Sequence, residues 1–189
     1  MLKGLFSLND LVTFFKGKKV SSYSLEGTVS IINISDIDDS GIQYHRLKSV
    51  DETSLNLERY KLKEGDVLLS SKGTVLKLAV FEEQKKPIIA SANFTILRPK
   101  DDRLTGFYLK SYLDSFEGQQ ALKSANIGKN SININTNLLR SIKIPLIPKV
   151  KQLYLEQTYL KGIRIYKQKL FRANQEWEKV QNEIRKNMF

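Results

Sequence analysis

The sequence predicts an α+β fold. A globular domain with a β-sheet and short helices spans 1–148, and one long C-terminal coiled-coil helix spans 149–189. Glu64–Pro99 consists of short runs of β-branched and aromatic residues between turn residues, which is typical of strands. Arg103–Ala125 has apolar residues at helical spacing. After Pro148 the chain contains no proline and has a sustained apolar period of three and four residues, which indicates a long amphipathic helix.

A first helix is predicted near the N-terminus, because Ser7 can act as its N-cap and Asp10 completes a capping box three residues later. Its apolar face would consist of Leu8, Leu11, Val12 and Phe15. The segment Lys16–Lys19, with one glycine and three lysines, would end this helix. Lys18 and Lys19 could equally stabilise the end of this helix or contact phosphates.

The stretch Glu64–Pro99 organises the predicted domain. Its strands are predicted at Val67–Leu69, Val75–Phe81, Ile88–Ala90 and Phe94–Leu97. Gly73 stands at the centre of the first turn, where a positive φ angle is expected. Lysines with serine and asparagine neighbours lie between the strands. A rigid sheet would thus hold basic, hydrogen-bonding loops, which suit a phosphate backbone better than an apolar ligand.

Further elements flank this stretch on both sides. A strand is predicted at Val29–Ile34, followed by a polar turn with three aspartates that lacks the glycine and glutamate of an EF-hand loop. Two helices are predicted within Arg103–Ala125. The first carries an apolar stripe of Phe107, Tyr108, Leu109, Tyr112 and Leu113. We interpret this stripe as core rather than as a base-stacking platform.

Composition narrows the class of function. The net charge of +11 favours a polyanionic partner, most often nucleic acid, and the alternative is general basicity. The absence of cysteine excludes disulfides and thiolate metal sites, and the single His45 leaves little room for histidine-based centres. No apolar run approaches the roughly 18 residues of a membrane span, and the N-terminus lacks a signal peptide. The chain is therefore predicted to be cytoplasmic and without membrane contact.

The long helix is predicted to carry a heptad seam, because eight residues recur at alternating spacings of four and three. The a positions are Ile163, Leu170, Trp177 and Ile184, and the d positions are Tyr159, Tyr166, Ala173 and Val180. A lone helix with this stripe needs a partner, either a second copy or its own domain. We predict that these eight residues form a dimer interface.

Several short motifs occur along the chain in an order that is also found in a known protein family. They are Gly65–Leu69, Lys72–Thr74, Ile89–Phe94 and Arg98–Pro99, followed by Gly128, Ile132, Leu139, Ile142, Ile144–Leu146 and Pro148. The ordered set resembles the target recognition domain of type I restriction-modification specificity (S) subunits. Leu76 departs from that pattern, because a second glycine is common at this place in the family. The resemblance covers nearly the whole chain from Leu8 onward.

The resemblance implies a non-catalytic DNA specificity subunit that binds half of a bipartite target in double-stranded DNA. Catalysis would belong to methylation (M) and restriction (R) subunits, and the chain itself would need no cofactor. S subunits of the family usually carry two recognition domains and two spacer helices that form an antiparallel pair. This chain has one recognition domain and one such helix. It therefore resembles a half-subunit, with target recognition in 1–148 and dimerisation and spacing in 149–189. Such a chain is expected to form a homodimer through its C-terminal helix.

The candidate DNA contacts are loop residues chosen by their chemistry. They are Lys72, Thr74, Lys77, Lys85, Lys86, Lys129, Asn130 and Ser131. The lysines would contact phosphates, whereas the hydroxyl and amide side chains could read base edges in the major groove.

Two other function classes remain open from the residues alone. A Mg²⁺-dependent nuclease needs clustered carboxylates and a lysine, and Asp66 with Glu83 and Lys85 matches this pattern loosely. A basic protein–protein adaptor is the third interpretation, in which the helix binds an acidic partner. An adenine methyltransferase is disfavoured, because the chain has no Asn/Asp-Pro-Pro-Tyr segment and no glycine-rich cofactor loop.

Overall fold

A computed structural model describes residues 4–20, 22–24, 26–51 and 57–188. The strands are β1 (Gly4–Ser7), β2 (Val12–Lys16), β3 (Val29–Ile32), β4 (Ile37–Asp38), β5 (Gly41–Ile42), β6 (Lys48–Val50), β7 (Val67–Ser70), β8 (Lys72–Gly73), β9 (Leu78–Val80), β10 (Ile88–Ala90), β11 (Phe94–Pro99), β12 (Ile132–Asn133) and β13 (Lys143–Leu146). The helices are α1 (Leu8–Leu11), α2 (Gly106–Asp114), α3 (Phe116–Ala125), α4 (Thr136–Ser141) and α5 (Lys149–Met188). The chain forms two compact units, of which the first ends at Leu153 and the second begins at Tyr154.

The α+β class is confirmed, and the stretch Glu64–Pro99 supplies the central strands of the first unit. An antiparallel sheet has the strand order β2-β11-β7-β9. A second sheet has the order β10-β3-β6, in which β10 runs parallel to β3. The second predicted strand is shorter than expected. The Ser70 hydroxyl donates to the carbonyl of Val75 and accepts from the N–H of Lys77, so these residues close a loop before β9 begins.

The predicted N-terminal helix is correct at its start and wrong in its length. Ser7 caps α1, and the capping box with Asp10 is present. However, α1 ends at Leu11, and Val12–Lys16 forms β2 instead of a continued helix. All of β2 pairs with Thr95–Pro99 of β11. This long-range pairing suits the β-branched and aromatic residues of β2 and overrides the local helical spacing.

Two capped helices cover one face of the antiparallel sheet. Thr105 caps α2 and Ser115 caps α3, each through its side-chain oxygen. The predicted apolar stripe of α2 is core, as expected, because all its members except the partly buried Tyr112 are buried. These helices share a cluster with the sheet and with α1 and α4, which includes Leu8, Leu11, Val67, Leu69, Leu97, Leu109, Leu113, Leu122 and Leu139.

An ion pair between the buried Asp66 and the partly buried Arg98 joins the two ends of the Glu64–Pro99 stretch. The Arg98 guanidinium on β11 donates to both carboxylate oxygens of Asp66, from Nε at 2.7 Å and from Nη2 at 2.6 Å. Asp66 also accepts from the N–H of Lys63, and Arg98 donates to the carbonyl of Lys61. The Asp66 side chain is 1% exposed. This bidentate pair holds the segment before β7 against β11.

The long C-terminal helix is confirmed as one element of 40 residues, about 60 Å long at 1.5 Å per residue. The buried side chain of Gln152 holds its first turns in the first unit. Its Oε1 accepts from the N–H of Thr105 at 2.9 Å, and its Nε2 donates to the carbonyls of Arg103 and Ile147. None of the helices in the described ranges combines the length and hydropathy that a membrane span would need.

Candidate nucleic-acid interface

A short pairing between β8 and β12 brings most of the candidate contacts to one edge. Gly73 lies opposite Ile132 and Lys72 lies opposite Asn133, so continuing this register places Thr74 opposite Ser131. The φ angle of Gly73 is +131°, which confirms the predicted positive value and explains why glycine is needed there. The segment predicted as a turn therefore contains a two-residue strand that pairs with β12. Five of the candidate DNA-contacting residues lie on or next to these two strands and are exposed. We call this group the β8–β12 edge: Lys72, Thr74, Lys129, Asn130 and Ser131.

The loop of the β8–β12 edge is held by its own hydrogen bonds. The Asn126 side-chain oxygen accepts from the N–H of Gly128 at 3.2 Å and from the N–H of Asn133 at 2.8 Å. The N–H of Ile127 donates to the carbonyl of Asn133 at 3.0 Å. A Cβ atom at Gly128 would lie 2.0 Å from the carbonyl oxygen of Ser131, so the loop closes only with glycine there. The loop therefore presents a cation and two polar side chains from a constrained backbone.

Lys85 and Lys86 lie apart from the β8–β12 edge, on the far side of strand β10. They directly precede β10. Asn93 follows β10, and its carbonyl accepts from the N–H of Lys72 at the β8–β12 edge. The ammonium of Lys86 donates to the Ser49 hydroxyl on β6 at 2.7 Å, and Lys85 is exposed. The structure therefore divides the predicted contacts into two groups at opposite ends of β10.

Lys77 joins neither group. Its ammonium donates to the carbonyl of Ile34 at 3.1 Å and to the carbonyl of Ile37. Ile34 is the first residue of the short 3₁₀ turn Ile34–Asp36, and Ile37 directly follows that turn. The ammonium of Lys77 is thus engaged in the fold, which distinguishes it from the exposed lysines at the edge.

The sequence interpretation missed Lys16. The lysine ends β2, and its ammonium donates to the Ser71 hydroxyl at 2.9 Å and to the Thr95 hydroxyl at 2.5 Å. Burial, followed by the charge of the neighbouring Lys72, lowers the pKa of Lys16 below its ordinary value. The local sequence pattern predicts Lys16 at a helix end, whereas the pairing of β2 with β11 places it opposite Thr95.

The structure does not bring Asp66, Glu83 and Lys85 together as a nuclease site would require. The buried carboxylate of Asp66 is paired with the Arg98 guanidinium. The N–H of Glu83 donates to the carboxylate of Glu64, and both residues are exposed on the surface. Within the part of the chain that the structure describes, no cluster of three or more acidic, histidine or cysteine residues could hold a metal ion. The geometry gives no support to the nuclease alternative.

Comparisons with known proteins identify relatives of this chain. A family model described as the type I restriction modification DNA specificity domain matches residues 3–169. A protein of Methanocaldococcus jannaschii, named as the type I restriction enzyme MjaX specificity subunit, is 30% identical over 129 residues. That alignment covers 65% of this chain and 30% of the relative, so the chain spans less than a third of the relative's length.

Solved structures share the fold. The S subunit of a type I restriction-modification system from M. genitalium has a TM-score of 0.54 and 15% identity, over 82% of this chain and 37% of that one. The HsdS subunit from Thermoanaerobacter tengcongensis has a TM-score of 0.56 and 21% identity, over 90% and 39%. A structure titled for complex assembly of the type I R-M system has a TM-score of 0.62 and 22% identity, over 92% and 41%.

Proposed function

The chain belongs to the type I restriction-modification DNA specificity family, and from this premise we propose that it recognises duplex DNA for a restriction-modification complex. Each chain binds one half of a bipartite target and directs the methylation and restriction subunits to it. The chain itself performs no catalysis and needs no cofactor. The observation that carries this proposal is the β8–β12 edge, where lysine, threonine, asparagine and serine side chains converge on a constrained backbone.

The lysines and the neutral polar side chains of the β8–β12 edge have different roles in DNA binding. Lys72 and Lys129 neutralise phosphates, which supplies affinity that does not depend on base sequence. Thr74, Asn130 and Ser131 offer the donors and acceptors that can distinguish base edges in the major groove. Lys85 and Lys86, at the other end of β10, flank this centre as secondary phosphate contacts.

The salt dependence of DNA binding tests this interface. We expect the double variant Lys72→Met with Lys129→Met to lower the slope of log K against log salt by about 2, because each lost phosphate contact removes about 0.9. The pair Lys85→Met with Lys86→Met should lower the slope less. Fluorescence anisotropy with a short random-sequence duplex, between about 50 and 200 mM salt, measures both slopes.

Lys143→Met is the matched control for that experiment. Lys143 is exposed on β13, where it pairs with Ser7 of β1, and it belongs to neither group of candidate contacts. The control should keep the wild-type slope. A larger loss in the Lys85 and Lys86 variant than in the edge variant would move the interface to the other end of β10. An absence of salt-dependent binding in the wild type would refute the proposed function.

We propose further that the working unit is a homodimer joined through α5, with the recognition domain in 1–148 and the spacer in 149–189. The seam side chains lie at the surface of the single chain: Trp177 is 59% exposed and Ile184 is 50% exposed. Exposed apolar side chains in a continuous heptad register are typical of a helix that pairs with another helix. Two such chains would place two recognition domains on one DNA molecule, as a bipartite target requires.

A further inference from the structure

Lys16 is held in a fixed position by neutral groups. Its ammonium bonds to the hydroxyls of Ser71 and Thr95, and these two side chains are almost fully buried. Ser71 immediately precedes β8, and Thr95 lies opposite Lys16 in the β2–β11 register. Lys16 is exposed as a whole residue, although its ammonium is partly desolvated where it meets these hydroxyls. The fold thus orients one surface ammonium through two contacts far away in sequence.

The buried hydroxyls do not need this lysine. Thr95 donates to the Ser71 oxygen at 2.7 Å, and Ser71 donates to the carbonyl of Asn93 at 3.4 Å. Both hydroxyl protons therefore have acceptors without Lys16. The ammonium has no structural task comparable to that of Lys77, which satisfies two backbone carbonyls.

A second lysine is a neighbour of the first, because Lys72 directly follows Ser71, whose hydroxyl accepts from the Lys16 ammonium. The charge of Lys72 acts on Lys16, and the ion pairs in the described ranges involve neither lysine. Two neighbouring like charges without a carboxylate raise the free energy of the unliganded protein, whereas an anion between them would lower it. The N–H of Lys72 is fixed by the Asn93 carbonyl at 3.1 Å, so both lysines approach from ordered backbone.

We propose that Lys16 and Lys72 together bind one phosphate of the DNA backbone, with the Ser71–Thr95 hydroxyl pair orienting the Lys16 ammonium. This inference rests on the proposed DNA-binding function and adds a residue from β2 to the β8–β12 edge. A phosphate bridging the two lysines fixes the position of the edge on the duplex, so that Thr74 and Asn130 meet base edges in one register.

The test compares Lys16→Met, Lys16→Arg and the control Lys143→Met in binding to the same random-sequence duplex. Lys16→Met should weaken binding roughly tenfold at about 0.1 M salt and lower the salt slope by about 0.9, equally for any DNA sequence. Lys16→Arg should keep most of the slope because it keeps the charge. The control should match the wild type in both quantities.

The pKa of Lys16 gives an independent measurement. Lys72 is the charged side chain that acts on Lys16, and the hydroxyls of Ser71 and Thr95 are neutral. Because a phosphate stabilises the charged form, saturating duplex should raise the pKa of Lys16 in side-chain NMR titrations. Removing the neighbouring charge by Lys72→Met should also raise the pKa of Lys16 in the protein without DNA.

Two results would overturn the inference while the proposed function stands: DNA binding with an unchanged slope in Lys16→Met, or an unmoved Lys16 pKa at saturating DNA. If Lys16→Met does not fold, the titration of Lys16 in the wild-type protein, with and without duplex, carries the test, because it needs no substitution at Lys16. A wild-type protein that binds no duplex at all would instead remove the function on which the inference rests.

Discussion

Trp177→Ala is expected to raise the dissociation constant of the homodimer about 30-fold or more, which corresponds to about 2 kcal/mol. Trp177 is the largest side chain of the α5 seam and is 59% exposed in the single chain. Burying it against a partner helix would remove more apolar area from water than any other seam position. Analytical ultracentrifugation across a concentration series measures the change.

Phe171→Ala is the matched control, because Phe171 is a large aromatic on the same helix and is 63% exposed, yet it lies outside the a and d positions. Its truncation should leave the dissociation constant nearly unchanged. Equal losses from Phe171→Ala and Trp177→Ala would show that the interface does not follow the heptad seam. A wild-type protein that is monomeric at micromolar concentration would contradict the half-subunit proposal.

The charged residues beside the apolar seam of α5 favour an antiparallel arrangement of the two helices in the dimer. In a parallel pair a g residue faces the next e residue, so Lys169 would meet Asn174 and form no ion pair. In an antiparallel pair g faces g, and setting Leu170 opposite Ala173 brings Lys169 beside Glu176 twice. Each exposed pair contributes only about 0.2–1 kcal/mol, so the charges orient the helices while the apolar seam supplies affinity.

Cysteine crosslinking distinguishes the two orientations, and the native chain contains no cysteine to interfere. The double variant Lys169→Cys with Glu176→Cys should give a disulfide-linked dimer if the helices are antiparallel. Crosslinking in Lys169→Cys with Asn174→Cys instead would show a parallel pair. As a charge test, Lys169→Glu should weaken the dimer far less than Trp177→Ala, and adding Glu176→Lys should restore the loss.

Asp66→Ala is expected to destabilise the first unit by about 3–5 kcal/mol, because it leaves the Arg98 guanidinium without its carboxylate in a mostly buried site. That loss is a large part of a typical stability of about 5–15 kcal/mol. Hydrogen exchange of peptides from β7 and β11 is the suitable measurement. Tryptophan fluorescence would not serve, because Trp177, the single tryptophan, lies on α5.

The exposed pair of Asp101 and Arg103 provides the comparison for that experiment. Its members are 41% and 51% exposed, and both belong to the surface beside α2. Asp101→Ala should leave the exchange of β7 and β11 unchanged, because solvent screens the pair. The double variant Asp66→Ala with Arg98→Met should regain part of the lost stability, since no buried charge is then unpaired. A double variant less stable than both single variants would contradict this account of the pair.

Local signals in the sequence were sufficient for most elements. The Ser7 capping box, the β-branched runs of β7, β10 and β11 and the apolar period of α5 depend on neighbours within a few residues, so they can be read without the fold. The positive φ angle of Gly73 belongs to the same group. The motifs between Gly65 and Pro99 likewise indicate the family from the sequence, without knowledge of the ion pair between Asp66 and Arg98.

Assigning tasks to individual lysines required the tertiary structure. Lys77 and Lys16 are both basic residues near polar turns in the sequence, but the fold brings Lys77 to carbonyls 43 and 40 residues away and Lys16 to a hydroxyl 79 residues away. The same long-range pairing with β11 turned a helical pattern at Val12–Lys16 into a strand. An ammonium that meets backbone carbonyls is engaged in the fold, whereas one held by hydroxyls at the surface beside a second cation can still bind a phosphate.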